Sequence, residues 1–145
     1  MGWLQTMLIG SCLGMAGMAV AAPLQVVTTT GMVADLARNV GGPRVQVISI
    51  MQEGVDPHLY KPVASDVRRI MKADVVFYNG LKLEGRMGDI FERAATRGTS
   101  VWPIGAMVDP SALRTPEAHP DHPDPHIWMD VSLWQQAVAG VAAAL

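Results

Sequence analysis

The chain has 145 residues, half of them hydrophobic and 17% charged, with a formal net charge of -2. That length suits one domain with a real core, since domains cluster at about 100 to 150 residues. The slightly acidic balance excludes the basic surface on which non-specific nucleic-acid binding depends, so nucleic acid is not an expected partner.

Charge is absent from the beginning of the chain, and the first charged residue is Asp35. Residues 1–22, MGWLQTMLIGSCLGMAGMAVAA, form an apolar run ending in Ala19-Val20-Ala21, the small-x-small pattern that a signal peptidase reads. A signal peptide over 1–22 is expected, cut after Ala21 or Ala22, although the usual Lys or Arg near its start is missing. A membrane anchor is one alternative, because about 20 apolar residues span a bilayer. Lipid attachment at Cys12 is another, but the apolar run continues well past that cysteine, which favours cleavage. Cys12 is the single cysteine, so the processed chain has neither disulfides nor thiolate ligands.

LQVVTTT, from Leu24 to Thr30, has the β-branched enrichment of a buried strand. Met32, Val33, Leu36, Ala37 and Val40 then recur at helical spacing until Gly41-Gly42-Pro43 stops them. RVQVISIM, 44–51, is a second strand. A short helix through Ala73 is expected to be capped by Ser65, with Asp66 in its first turn. DVVFYNG, 74–80, reads as a third strand closing in an Asn-Gly turn. Residues 85–97 form an amphipathic helix carrying Met87, Ile90, Phe91 and Ala94 on one face, and TSVWPIG, 99–105, is a fourth strand. The Pro-, Asp- and His-rich segment 106–125 is an exposed loop. From Asp130 the pattern is helical again, through Val131, Trp134, Gln135, Val138, Val141, Ala142 and Leu145. That helix has no stop signal, which is expected of a fragment whose apolar helix face stays uncovered.

Strands alternating with helices imply an α/β fold, a parallel four-stranded sheet flanked by helices. Ligands of such sheets sit beyond the carboxyl ends of the strands. Two segments there share a triplet: GVDPHLYKPVASDV, 54–67, contains Asp56-Pro57-His58, and DPHIWMDV, 124–131, contains Asp124-Pro125-His126. Proline pins each backbone, and the neighbouring Asp56 and Asp124 are candidate acceptors for the imidazole nitrogen that faces away from a metal. Two such turns on one rim would present two neutral nitrogens suited to zinc, manganese or iron(II), not to the oxygen-seeking calcium or magnesium. A turn histidine is more often a surface or capping residue, and only the repetition of the triplet on one rim lifts His58 and His126 to candidate ligands. His119 and His122 are expected to belong to a solvated linker.

No third ligand is evident. Asp66 suits the first turn of a helix, and Glu84 and Asp130 suit helix starts. There is no Gly-rich phosphate loop, no nucleophile elbow and no His-Glu-x-x-His helix. Ser65 and Ser132 read as helix-start residues rather than nucleophiles, and Tyr60, Trp128 and Trp134 as packing.

Together VVTTTGMVADLARNVGG (26–42), GVDPHLYKPVASDV (54–67), ADVVFYNGLKLEGRM (73–87) and DPHIWMDVSLW (124–134) resemble the metal-specific solute-binding proteins of zinc/manganese ABC importers, the adhesin-like lipoprotein family. The resemblance implies an N-terminal α/β metal-binding lobe over 23–129 and, over 130–145, the start of a long inter-lobe helix leading to a second lobe. It places His58 and His126 at the first lobe's ligand positions, with two further ligands in the second lobe. Lys82 stands where relatives often carry a histidine and is given no ligand role.

The implied activity is capture of a divalent transition metal (Zn, Mn or Fe) in the periplasm or another extracytoplasmic space, by a monomer that delivers it to a membrane ABC permease. No enzyme activity is expected. The alternatives are a secreted or surface interaction (adhesin-like) module with incidental histidines, and a secreted metallohydrolase, which would need a general base that the sequence does not display.

Overall fold

The computed structural model describes residues 21–117 and 120–145. Residues 1–20 of the expected signal sequence, Cys12 among them, and His119 lie outside the described residues.

Four strands, β1 (Leu24–Thr28), β2 (Val45–Ser49), β3 (Val75–Tyr78) and β4 (Ser100–Pro103), form one sheet in the order β2-β1-β3-β4, every neighbouring pair parallel. The helices α1 (Gly31–Gly41), α2 (Ala64–Lys72), α3 (Gly88–Thr96) and α4 (Val131–Ala144) cover both faces. This is the expected α/β fold with its parallel four-stranded sheet. Alternation along the strands divides the core in two. Val26, Val75 and Phe77 join the inward residues of α1 and α4, while Val27 and Val76 join those of α2 and α3. A parallel sheet buried on both faces explains why its strands read as continuous β-branched runs.

Several local expectations change. The cap of α2 is Val63, not Ser65: the Asp66 carboxylate accepts the Val63 N–H at 2.9 Å, and the Asp66 N–H returns to the Val63 carbonyl at 2.9 Å. Asp66 is 2% exposed and also accepts the Tyr60 hydroxyl at 2.7 Å and Arg69 at 3.3 Å. Burial and that hydrogen bond push the Tyr60 hydroxyl up to about 12.

Helix α4 buries Leu133, Ala137 and Val141, with Trp134 packed alongside, whereas Val131 and Val138 face solvent. A helix apolar on nearly all sides has no sequence stripe that marks its buried face. The expected cap does hold: Asp130 accepts the N–H groups of Ser132 and Leu133 and the Ser132 hydroxyl.

Glu84 starts no helix, since α3 begins only at Gly88. Instead, residues 80–82 form a left-handed turn with φ of 77° at Gly80, 52° at Leu81 and 64° at Lys82. Two successive side chains in that region are costly and mark a stretch held by its surroundings.

Candidate metal site on the carboxyl rim

Strands β2 and β4 are the outer strands of the sheet, so the loops that follow them start from opposite sides. They meet above the carboxyl ends. The Nε2 atoms of His58 and His126 stand 3.4 Å apart, with the ring centroids 5.4 Å apart and the planes inclined at 53°. Both imidazoles are exposed.

The two triplets build their turns alike. Asp56 accepts the backbone N–H of His58 at 2.9 Å, and Asp124 accepts that of His126 at 3.0 Å. They differ at the rings. Asp124 also lies 2.6 Å from Nδ1 of His126, whereas among the described residues the Asp56 carboxylate meets the His58 backbone alone. The backbone N–H and then the ring N–H of His126 hold the Asp124 carboxyl below its usual range. A proton on Nδ1, assigned from that aspartate partner, leaves the lone pair of Nε2 free toward His58. Trp128 stands edge-on to the His126 ring, with centroids 5.1 Å apart.

The remaining candidates stay outside this pair. His122 is exposed, and the Lys82 ammonium lies 3.0 Å from both of its ring nitrogens. Asp66 and Asp130 serve α2 and α4 as caps. Among the described residues no group of three or more His, Cys, Asp or Glu side chains could hold a metal ion.

Beneath the rim is a polar network that the sequence did not reveal. Glu84, 5% exposed, accepts the Thr29 hydroxyl at 2.6 Å, the Asn79 N–H at 2.7 Å and the Gly80 N–H at 3.1 Å. Burial outweighs these bonds and raises the Glu84 carboxyl above its ordinary range. Asn79, fully buried, donates its carboxamide to the carbonyls of Gly80 at 3.1 Å and Pro125 at 2.9 Å. Thr29 follows β1 and Asn79 follows β3, the adjacent central strands, so the network fills the crevice where the strand order reverses. The one sequence signal for it was an acid, Glu84, directly after the apolar Leu83 and ahead of any helical pattern.

Compared with known proteins, residues 26–145 match the family described as Zinc-uptake complex component A periplasmic (ZnuA). The chain is 41% identical over 128 residues to the manganese-binding lipoprotein MntA of Bacillus subtilis, a match covering 88% of this chain and 41% of that one. Among solved structures, the periplasmic zinc-binding protein TroA of Treponema pallidum superposes with a TM-score of 0.75 at 39% identity, over 83% of this chain and 42% of that one. The Fe(III)-bound YtgA of Chlamydia trachomatis superposes with a TM-score of 0.68 at 30% identity, over 83% of this chain and 42% of that one. The chain therefore spans about two fifths of the length of these relatives.

Proposed function

Because the chain belongs to the zinc-uptake component A family, we propose that it is the N-terminal lobe of an extracytoplasmic substrate-binding protein, in which His58 and His126 supply half the ligands for a divalent transition metal. The relatives are named for manganese, zinc and Fe(III); imidazole is a good ligand for zinc and iron, whereas manganese leans toward oxygen donors. The remaining ligands come from a second lobe, reached through α4 as the start of the inter-lobe helix. A membrane ABC permease receives the ion, the protein works as a monomer without catalysis, and residues 1–22 direct its export.

The observation that supports this reading is the 3.4 Å separation of the two Nε2 atoms. Two imidazole nitrogens bound to one tetrahedral zinc, at bond lengths of about 2.0 to 2.1 Å, lie about 3.3 Å apart. Little movement is needed to seat an ion between them.

Calorimetric titration of the chain with zinc(II) tests the assignment. One weak equivalent is expected, lost in both His58→Ala and His126→Ala. Retention of that equivalent by the double variant would refute it.

A further inference from the structure

Beyond the two histidines, we propose that Asn79 is a positioning residue for metal capture: its buried carboxamide ties the Pro125 carbonyl to the end of β3 and so sets where the His126 ring stands opposite His58. The inference rests on the metal-binding reading of those two histidines.

Three observations converge. Asn79 is 0% exposed, and its Nδ2 spans two carbonyls, Gly80 at 3.1 Å and Pro125 at 2.9 Å. Two carbonyl partners fix the amide orientation, because the flipped form would set oxygen against oxygen. Pro125 immediately precedes His126, and its ring limits the backbone torsion on the amino side of the bonded carbonyl. A bond at that carbonyl therefore restrains the peptide unit from which the histidine projects.

The second observation concerns the anchor. Glu84 grips the backbone N–H groups of both Asn79 and Gly80, and Thr29 donates to the same carboxylate from the end of β1. Asn79 is thereby fixed to the two central strands rather than carried by a loose turn. The third is strain. The chain leaves Asn79 through the left-handed residues Gly80, Leu81 and Lys82, a conformation that persists only where its surroundings over-determine it. Asn79 Oδ1, buried without a partner among the described residues, adds a polar cost that core packing alone would not select.

Asp124 and Asn79 thus divide the task. Asp124 sets the rotation of the His126 ring, and Asn79 sets the place from which the ring starts. Among the described residues, the one such brace at His58 is the hydrogen bond that its backbone N–H donates to Asp56.

The test compares Asn79→Ala with Ile70→Val, a truncation in the core at the carboxyl-terminal part of α2, next to the amino end of β3 and away from the rim. The unliganded proteins are examined by NMR for the ring-proton NOE between His58 and His126. Cobalt(II) is then titrated while its visible absorption is followed. Asn79→Ala is expected to weaken or abolish the NOE, reduce cobalt affinity by about tenfold to a hundredfold, the range for lost outer-shell support, and alter the absorption band. Ile70→Val should keep the NOE, the band and the affinity even where its unfolding midpoint falls. If Asn79→Ala does not fold, Asn79→Ser, which keeps a hydroxyl but cannot reach Pro125, takes its place with the same expectations. A folded Asn79 variant with the native NOE and the native cobalt band would overturn the proposal. Failure of the native chain to bind cobalt would count against the metal-binding reading instead, and the NOE comparison would still decide what Asn79 does.

Discussion

Asp124 Oδ1 lies 2.6 Å from His126 Nδ1, while among the described residues the Asp56 carboxylate, in the same triplet position before His58, accepts only the backbone N–H. The two turns are alike in sequence and unlike in what they do for their imidazoles. The carboxylate on His126 selects its tautomer and raises the basicity of the nitrogen opposite, as outer-shell carboxylates do. Asp124→Ala should therefore weaken zinc binding by about tenfold to a hundredfold. Asp56→Ala should cost clearly less, since it loosens a turn without releasing a ring. Calorimetry on both variants measures the difference, and equal losses would mean that backbone bracing is the aspartates' common role.

Capping of α2 gives a second test. Asp66 satisfies the Val63 N–H and the Tyr60 hydroxyl from a buried position, whereas Ser65 makes no cap bond. Loss of a capping side chain costs about 0.5 to 2 kcal/mol, and the freed Tyr60 hydroxyl adds to it. Asp66→Ala should lower the unfolding free energy by about 2 kcal/mol, with Ser65→Ala within about 0.5 kcal/mol of native. Urea unfolding followed by tryptophan fluorescence reads both.

The contrast between Ser65 and Asp66 shows what the sequence could convey. Strand positions were legible, because a doubly covered parallel sheet demands unbroken β-branched runs such as Val26-Val27 and Val75-Val76. The shared rim was legible too, since chain order alone places both Asp-Pro-His loops after strand ends. Glu84 and Asn79 were not. Their roles depend on Thr29 and Pro125, which lie 55 and 46 residues away from them, and no local pattern encodes a bond of that span. Nor could the turn at Leu81 and Lys82 be foreseen, because neither residue type favours a positive φ.

The burial of Glu84 makes stability depend on pH in an unusual sense. Most carboxyls shifted here, Asp109, Asp124 and Asp130, are held low by hydrogen bonds and favour the fold once ionised. Their contribution is present above the ordinary aspartate pKa and fades as the pH falls through their folded values. Glu84 is raised by burial, so the folded chain holds its proton more tightly than the unfolded chain does. Its contribution is complete below the unfolded glutamate pKa of about 4.3 and is lost as the pH rises through the folded value. Glu84→Gln should remove that decline. The variant will also be less stable throughout, because an amide cannot accept at both oxygens, and its nitrogen would meet the Gly80 N–H. Urea unfolding from about pH 4.5 to 7 should show a falling unfolding free energy in the native chain and a flatter one in Glu84→Gln.

The left-handed turn offers a last test, of strain against side-chain contact. Lys82 holds φ of 64° and is exposed, and among the described residues its ammonium reaches only the exposed ring of His122. A side chain in this region costs about 1 to 2 kcal/mol, whereas glycine adopts it freely. Glycine also enlarges the freedom of the unfolded chain, which takes back about 0.4 to 1 kcal/mol. An exposed contact of this kind adds little to the folded state. Relief should exceed loss, so Lys82→Gly is expected to stabilise the fold by about 0.5 kcal/mol, a gain readable as a raised urea midpoint at unchanged slope. A destabilised Lys82→Gly would mean that the lysine side chain itself holds the turn. In that case its contact with His122 contributes more than exposure allows.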